Sequence, residues 1–115
     1  MRQRIYLSGP ISNDPDYMQK FTEADAYLRN QGYQVANPAE LYRSLPQNVS
    51  YEELMSIDLH IMDICDTVIQ LEGWEESKGC NREYGYALAK DMIVMTLTEL
   101  KEIIQKRAEG KKGGE

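Results

Sequence analysis

The chain has only two cysteines in 115 residues, Cys65 and Cys80, too few for a secreted disulfide scaffold and without metal-ligand spacing. They fit a reducing cytosol, where both are expected to serve as small buried residues. Histidine is scarcer: His60 stands alone, no serine or cysteine is spaced to pair with it, and a surface position on a helix is expected. There is no Walker or G-x-G-x-x-G phosphate loop and no metal motif, so neither metal nor cofactor is expected. No apolar run reaches membrane-spanning length and no signal-type h-region follows Met1, which points to a cytoplasmic protein that does not meet a membrane. Positive charge is also in deficit. A formal net charge of -6 argues against a nucleic-acid polymer as partner, which requires clustered Lys and Arg, and the short basic run at residues 107–112 reads as a solvated helix end.

What is present is ordinary for a folded domain: 42% hydrophobic and 28% charged residues, far from the composition of a disordered chain. One domain over residues 1–109 is expected, with a frayed tail at 110–115. Residues 4–7 form a first strand, broken by Ser8-Gly9-Pro10. From Asp16, the apolar residues Tyr17, Phe21, Ala24 and Leu28 recur at helical spacing and stop at Gly32. A second strand covers residues 33–36 and is closed by Asn37-Pro38. Residues 39–48 then connect, anchored only by Leu41, Tyr42 and Leu45, and are long enough to act as a flap over a site.

Ser50-x-x-Glu53 is a capping box that starts the second helix, with an inner stripe of Leu54, Ile57, Ile61 and Ile64 or Cys65. Asp58 falls on that stripe. The third strand covers residues 67–71, a glycine-containing loop residues 72–79, the third helix residues 81–90, the fourth strand residues 92–96 and the last helix residues 97–107. Strand and helix alternate four times, which predicts a small doubly wound α/β fold of the flavodoxin or Rossmann kind, its parallel sheet covered by helices on both faces. Ligands bind such sheets beyond the carboxyl ends of the strands, and that rule gathers residues 8–12, 37–38 and 73–83 at one edge.

Two carboxylates stand out there. Glu83 lies about one turn into its helix, on a face with Cys80, Ala87 and Leu88; the helix start favours its ionised form, as a nucleophile requires, or it is an idle helix-start glutamate. Asp58 on a buried stripe favours the protonated form and needs a partner or a task, because a buried unpaired carboxylate costs several kcal/mol. It either does chemistry or ties its helix to backbone at Ser8-Gly9 or Gly73. Tyr6 could hydrogen-bond a catalytic carboxylate or be a core tyrosine, and Trp74 is either a flat wall for a planar base or a lid over the sheet edge.

The pieces Y-L-S-G-P-I at 6–11, N-P-A-E at 37–40, D-L-H-I-M-D-I-C-D at 58–66 and L-E-G-W-E-E-S-K-G-C-N-R-E-Y-G-Y-A at 71–87 span most of the chain. Together they resemble the nucleoside 2-deoxyribosyltransferase superfamily, which includes the 2′-deoxynucleoside 5′-phosphate N-hydrolases, and in particular its small branch known as DUF4406. The resemblance implies that Glu83, the acid of G-x-x-x-E-x-G-x-A, is the nucleophile that attacks the anomeric carbon of a deoxyribosyl N-glycoside. It implies that Asp58 moves a proton to or from the base and that Tyr6 orients the nucleophile. Ser8, Gly9, Pro10, Ser12, Asn37, Gly73, Trp74, Ser77 and Gly79 are expected to line the substrate. Ser77 stands where the phosphate hydrolases carry a phosphate-contacting serine, whereas Pro10 and Ser12 stand where those enzymes carry serine and arginine for phosphate.

Cleavage of the N-glycosidic bond of a deoxynucleoside or nucleotide, by hydrolysis or by base exchange, is therefore the first expectation. An anion is needed against an oxocarbenium-like centre and a proton for the departing base, which two carboxyls with separated pKa values supply. A non-catalytic module that holds a nucleotide-like ligand, for regulation or sequestration, is the second, and a bland scaffold the third. The partner is a small molecule, and the resemblance adds a homo-oligomer, a dimer or larger.

Overall fold

The computed structural model describes residues 3–113, with side chains through residue 110. Four strands, β1 (Arg4–Ser8), β2 (Gln34–Ala36), β3 (Thr67–Gln70) and β4 (Ile93–Thr96), form one sheet in the order β2-β1-β3-β4. Every pairing is parallel, with Tyr6 beside Ala36 and Val68, and Val68 beside Val94. The helices are α1 (Tyr17–Asn30), α2 (Pro38–Tyr42), α3 (Tyr51–Met62), α4 (Lys78–Ala89) and α5 (Leu97–Gly113). The expected doubly wound α/β fold is thus the observed one.

Alternation along the central strands divides the core into two layers. Ile5, Leu7 and Ile69 face one side, where they pack with Phe21, Ala24 and Leu28 of α1 and Leu100 of α5. Tyr6 and Val68 face the other, under Met62 of α3 and Ala87 of α4. β1 and β3 are buried along nearly their whole length, as strands covered on both faces must be. Because β1 is flanked by β2 on one side and β3 on the other, the chain leaves the carboxyl ends of β1 and β3 in opposite directions. That divergence opens a crevice.

Several local expectations are corrected. Residues 39–48 are not all loop: Asn37 accepts a hydrogen bond from the Glu40 amide at 3.3 Å and Pro38 follows, so the Asn-Pro pair that ends a strand also starts α2. The capping box at Ser50 and Glu53 is present, at 3.1 and 2.8 Å, but α3 is rotated relative to the expected stripe. It buries Met55, Asp58 and Met62, while Ile64 lies beyond the helix end and is 63% exposed. Long flexible methionines fill the space above the sheet that the branched residues were expected to fill.

Helix α4 starts at Lys78 and not at Asn81, because Ser77 caps it by accepting from the Cys80 amide. Gly79 is therefore helical, and Leu88 is turned outward, 53% exposed, instead of sharing the face of Glu83. Cys80 is buried but Cys65 only partly. Helix α5 passes through residues 107–110 to Gly113, where fraying was expected. Gly114 and Glu115, like the side chains from residue 111 onward, lie outside the described residues. His60 is on the surface of α3, as expected, with its ring nitrogen against the Ser56 carbonyl.

Candidate active site

The crevice beyond β1 and β3 is a cavity of about 660 Å³. Its walls come from the loop after β1, from α2 and α3, and from the turn that leads into α4. Gly9 brings the first of these close: a Cβ there would lie 3.0 Å from Leu71 and 3.1 Å from Phe21. Gly73 turns the chain after β3 with φ of +88°, a conformation that side chains rarely adopt. One 3₁₀ turn, Trp74–Glu76, then delivers Ser77 to the start of α4.

Glu83 closes the floor of the cavity and is 5% exposed. It sits six residues into α4, past the first turn where the helix dipole acts, so the dipole is not what favours its charge. Two hydroxyls from β1 do that. Tyr6 donates to Oε2 at 2.6 Å and Ser8 donates to Oε1 at 2.7 Å; alternation places both on the α4 side of the sheet. Each hydrogen bond to a charged group is worth about 1.5–3 kcal/mol, enough together to offset the several kcal/mol that burying one carboxylate costs.

Asp58 reaches the same cavity from α3 and is 3% exposed. Its Oδ2 accepts from the Tyr42 hydroxyl on α2, while its Oδ1 is buried with no partner among the described residues. The tie therefore runs to a side chain of the flap, not to backbone at Ser8-Gly9 or Gly73. Burial raises the pKa of both carboxyls, that of Glu83 to about 8, and the charge of Asp58 lifts Glu83 further. Tyr6, sealed beneath them, has its own phenol pushed well up by burial and by Glu83.

Two adjacent buried carboxyls cannot both ionise cheaply, so over a range of pH they hold one proton between them. Hydrogen bonds decide where it sits. Of four carboxyl oxygens, three accept a hydroxyl, and only Asp58 Oδ1 does not. Tyr6 and Ser8, and not the helix dipole, stabilise charge on Glu83 against the burial that raises its pKa, and the proton that the pair shares is placed between Glu83 and Asp58 Oδ1.

Of the other expected residues, Gly9, Pro10, Ser12, Gly73, Ser77 and Gly79 line this cavity together with Asp58 and Glu83. Tyr6 and Ser8 stand behind Glu83. Asn37 does not reach it: its side chain caps α2 and donates to Asp25 at 3.0 Å. Trp74 does not either; it packs on Tyr84 with ring centroids 5.1 Å apart and borders a separate hollow of about 390 Å³ beside β4. Tyr42 and Tyr51, which both line the cavity, were not among the expected site residues. Nothing in their spacing marks Tyr51, whereas Tyr42 is visible as an anchor of the flap.

The sequence profile of a domain of unknown function, DUF4406, matches residues 3–96. The chain belongs to this family. The match covers all four strands and both carboxyls and ends where β4 ends, so α5 lies beyond it. A comparison with curated proteins finds no match. Within this DUF4406 chain no helix among the described residues is long and apolar enough to cross a membrane.

Proposed function

We propose that this DUF4406 domain cleaves the N-glycosidic bond of a deoxynucleoside by way of a glutamyl-deoxyribosyl ester. The observation that carries this reading is the pair itself: Glu83 held by two hydroxyl donors, facing a cavity that it shares with Asp58, whose buried Oδ1 accepts no hydroxyl among the described residues. A Glu83 oxygen attacks the anomeric carbon as the carbon–nitrogen bond breaks, and the electron pair leaves with the base. Asp58 gives its proton to that base. Water, or the nitrogen of a second base, then attacks the same carbon; the ester bond breaks, Glu83 regains its charge, and Asp58 takes up the proton that the attacking group loses. Hydrolysis and base exchange share everything up to that last step.

The walls favour an uncharged substrate over its 5′-monophosphate. Outside the carboxyl pair the charged lining is Asp14, Glu72 and Glu76 against Lys20 and Lys78, and Lys20 is already paired with Asp14 at 2.9 Å. Ser77, the residue placed for phosphate by resemblance, spends its side-chain oxygen on capping α4. The reading extends to a homo-oligomer, for which the exposed apolar residues Ile64, Leu88 and Ile93 are the supporting feature and gel filtration the check.

The deciding experiment incubates the protein with a panel of deoxynucleosides and their monophosphates, with and without an acceptor base, and follows free base by chromatography. Base release that disappears in Glu83→Ala is the expected result. Tight binding by calorimetry with no release from the wild-type protein would replace this reading by that of a ligand-holding module.

A further inference from the structure

We infer that Tyr42 is a positioning residue of the carboxyl pair: its hydroxyl occupies Asp58 Oδ2 and so leaves Oδ1 as the Asp58 oxygen that shares the pair's proton with Glu83. Tyr42 ends α2, a helix of five residues started by the Asn37 cap and Pro38 and seated on the buried residues Pro38 and Ala39. Its ring is part of the cavity wall, and its hydroxyl donates to Asp58 Oδ2. Glu83 needs no third donor, since Tyr6 and Ser8 already fill one site on each of its oxygens. The flap therefore supplies what the sheet does not, and it does so from an element that holds neither carboxyl.

The consequence is directional. A carboxyl with both oxygens free can rotate and present its proton from either one; with Oδ2 held as an acceptor, the proton is confined to the other. Asp58 then meets the shared proton with an oxygen of fixed position. Phenol donation also favours the ionised form of Asp58, so it lowers the pH at which Asp58 gives up its proton. The other groups facing the pair are Tyr6 from β1 and Cys80 from α4, and the charges around the cavity are Asp14, Lys20, Glu72, Glu76 and Lys78. The hydroxyl of Tyr6 is engaged by Glu83 Oε2.

The role of Tyr42 rests on the N-glycosidase reading only for its kinetic consequence, and the test separates the two. In the free protein, carboxyl-carbon NMR follows the titration of Asp58 and Glu83 in wild type, in Tyr42→Phe, and with 3-fluorotyrosine placed at position 42. Tyr42→Phe is expected to move the titration of Asp58 up by about one pH unit, and the fluorinated ring, a stronger donor, to move it down. With a deoxynucleoside that the wild type cleaves, Tyr42→Phe is expected to lower kcat about tenfold or more with KM changed less than about threefold, and to shift the limb of the pH profile that follows Asp58 in the same direction as its titration. Unchanged titrations in both variants overturn the inference. If the Phe variant does not fold, the fluorinated protein alone decides by the sign of its shift. Absence of base release from the wild type removes the N-glycosidase reading, and the titrations then decide the role of Tyr42 by themselves.

Discussion

The Tyr6 hydroxyl, on a side chain with no solvent exposure, donates to Glu83 Oε2 across 2.6 Å and joins β1 to α4 over 77 positions of sequence. The bond makes the sheet itself part of the site. Tyr6→Phe should keep the ring packing against Met62 and Val68 while removing one of the two donors that hold the charge on Glu83. A hydrogen bond to a charged group is worth about 1.5–3 kcal/mol, so base release should fall about 10- to 100-fold in kcat. Steady-state kinetics beside an unchanged circular-dichroism spectrum check this.

The same burial makes stability depend on pH. Glu83, ordinarily near 4.5, is raised to about 8, and Asp58 is raised in the same direction, each first by burial. A carboxyl whose pKa is higher folded than unfolded binds protons on folding. Its contribution is fully present below the unfolded value and is lost as pH rises through the folded one. Denaturant stability should therefore decline from about pH 5 to about pH 8, by about 1.4 kcal/mol for each unit separating the two values, a few kcal/mol in all. Glu83→Gln should flatten most of that decline. The exposed carboxylates held low by partners, such as Glu53 in its capping box and Asp63 beside Tyr86, lose their contribution only at lower pH and leave the window clear.

Much of this site is legible in the order of residues. Alternation puts Tyr6 and Ser8 on one face of a buried strand, and the capping box at Ser50 sets the start of α3 so that Asp58 turns inward. Less legible is anything that depends on which of two roles a residue plays. Asn37-Pro38 both ends β2 and starts α2, and Ser77 both leaves a loop and caps α4, so sequence pattern alone hides α2 and trims the first turn from α4. The choice of Met55 and Met62 over Ile57 and Ile61 is a matter of a rotation smaller than one residue step, which periodicity with apolar residues at most positions does not resolve. Trp74 goes to Tyr84 because the 3₁₀ turn directs it there, and no pattern announces that turn.

Two glycines separate close approach from free surface. A Cβ at Gly9 would stand 3.0 Å from both Cβ and Cδ1 of Leu71 and 3.1 Å from the ring tip of Phe21; the first is fixed to the backbone, and the other two are ends of side chains buried in the core. Gly9→Ala should cost about 1–3 kcal/mol and displace the loop that walls the cavity. Gly85, exposed within α4, would place its Cβ in open space. Gly85→Ala should raise stability by about 0.5–1 kcal/mol, since alanine gives up less backbone freedom in a helix. Thermal unfolding of the two variants should move in opposite directions.

Substrate charge gives the sharpest contrast. Asp14, Glu72 and Glu76 surround the cavity, and the pairing of Lys20 with Asp14 leaves Lys78 to oppose two carboxylates. Across about 8 Å, two unit charges interact by about 0.5–2 kcal/mol, depending on how well water screens them. Two unopposed or half-opposed carboxylates should therefore penalise a 5′-phosphate dianion by about 1–3 kcal/mol. The deoxynucleoside should exceed its 5′-monophosphate in kcat/KM by about tenfold or more. Because the charges are at the exposed rim, the ratio should shrink as ionic strength rises from about 0.01 to 0.5 M. Glu72→Gln together with Glu76→Gln should bring it close to unity, with little change for the uncharged substrate. Measuring both substrates against salt, in wild type and in the double variant, checks all three outcomes; a preference for the monophosphate that persists in low salt would show that Ser77 and the first turn of α4 bind phosphate after all.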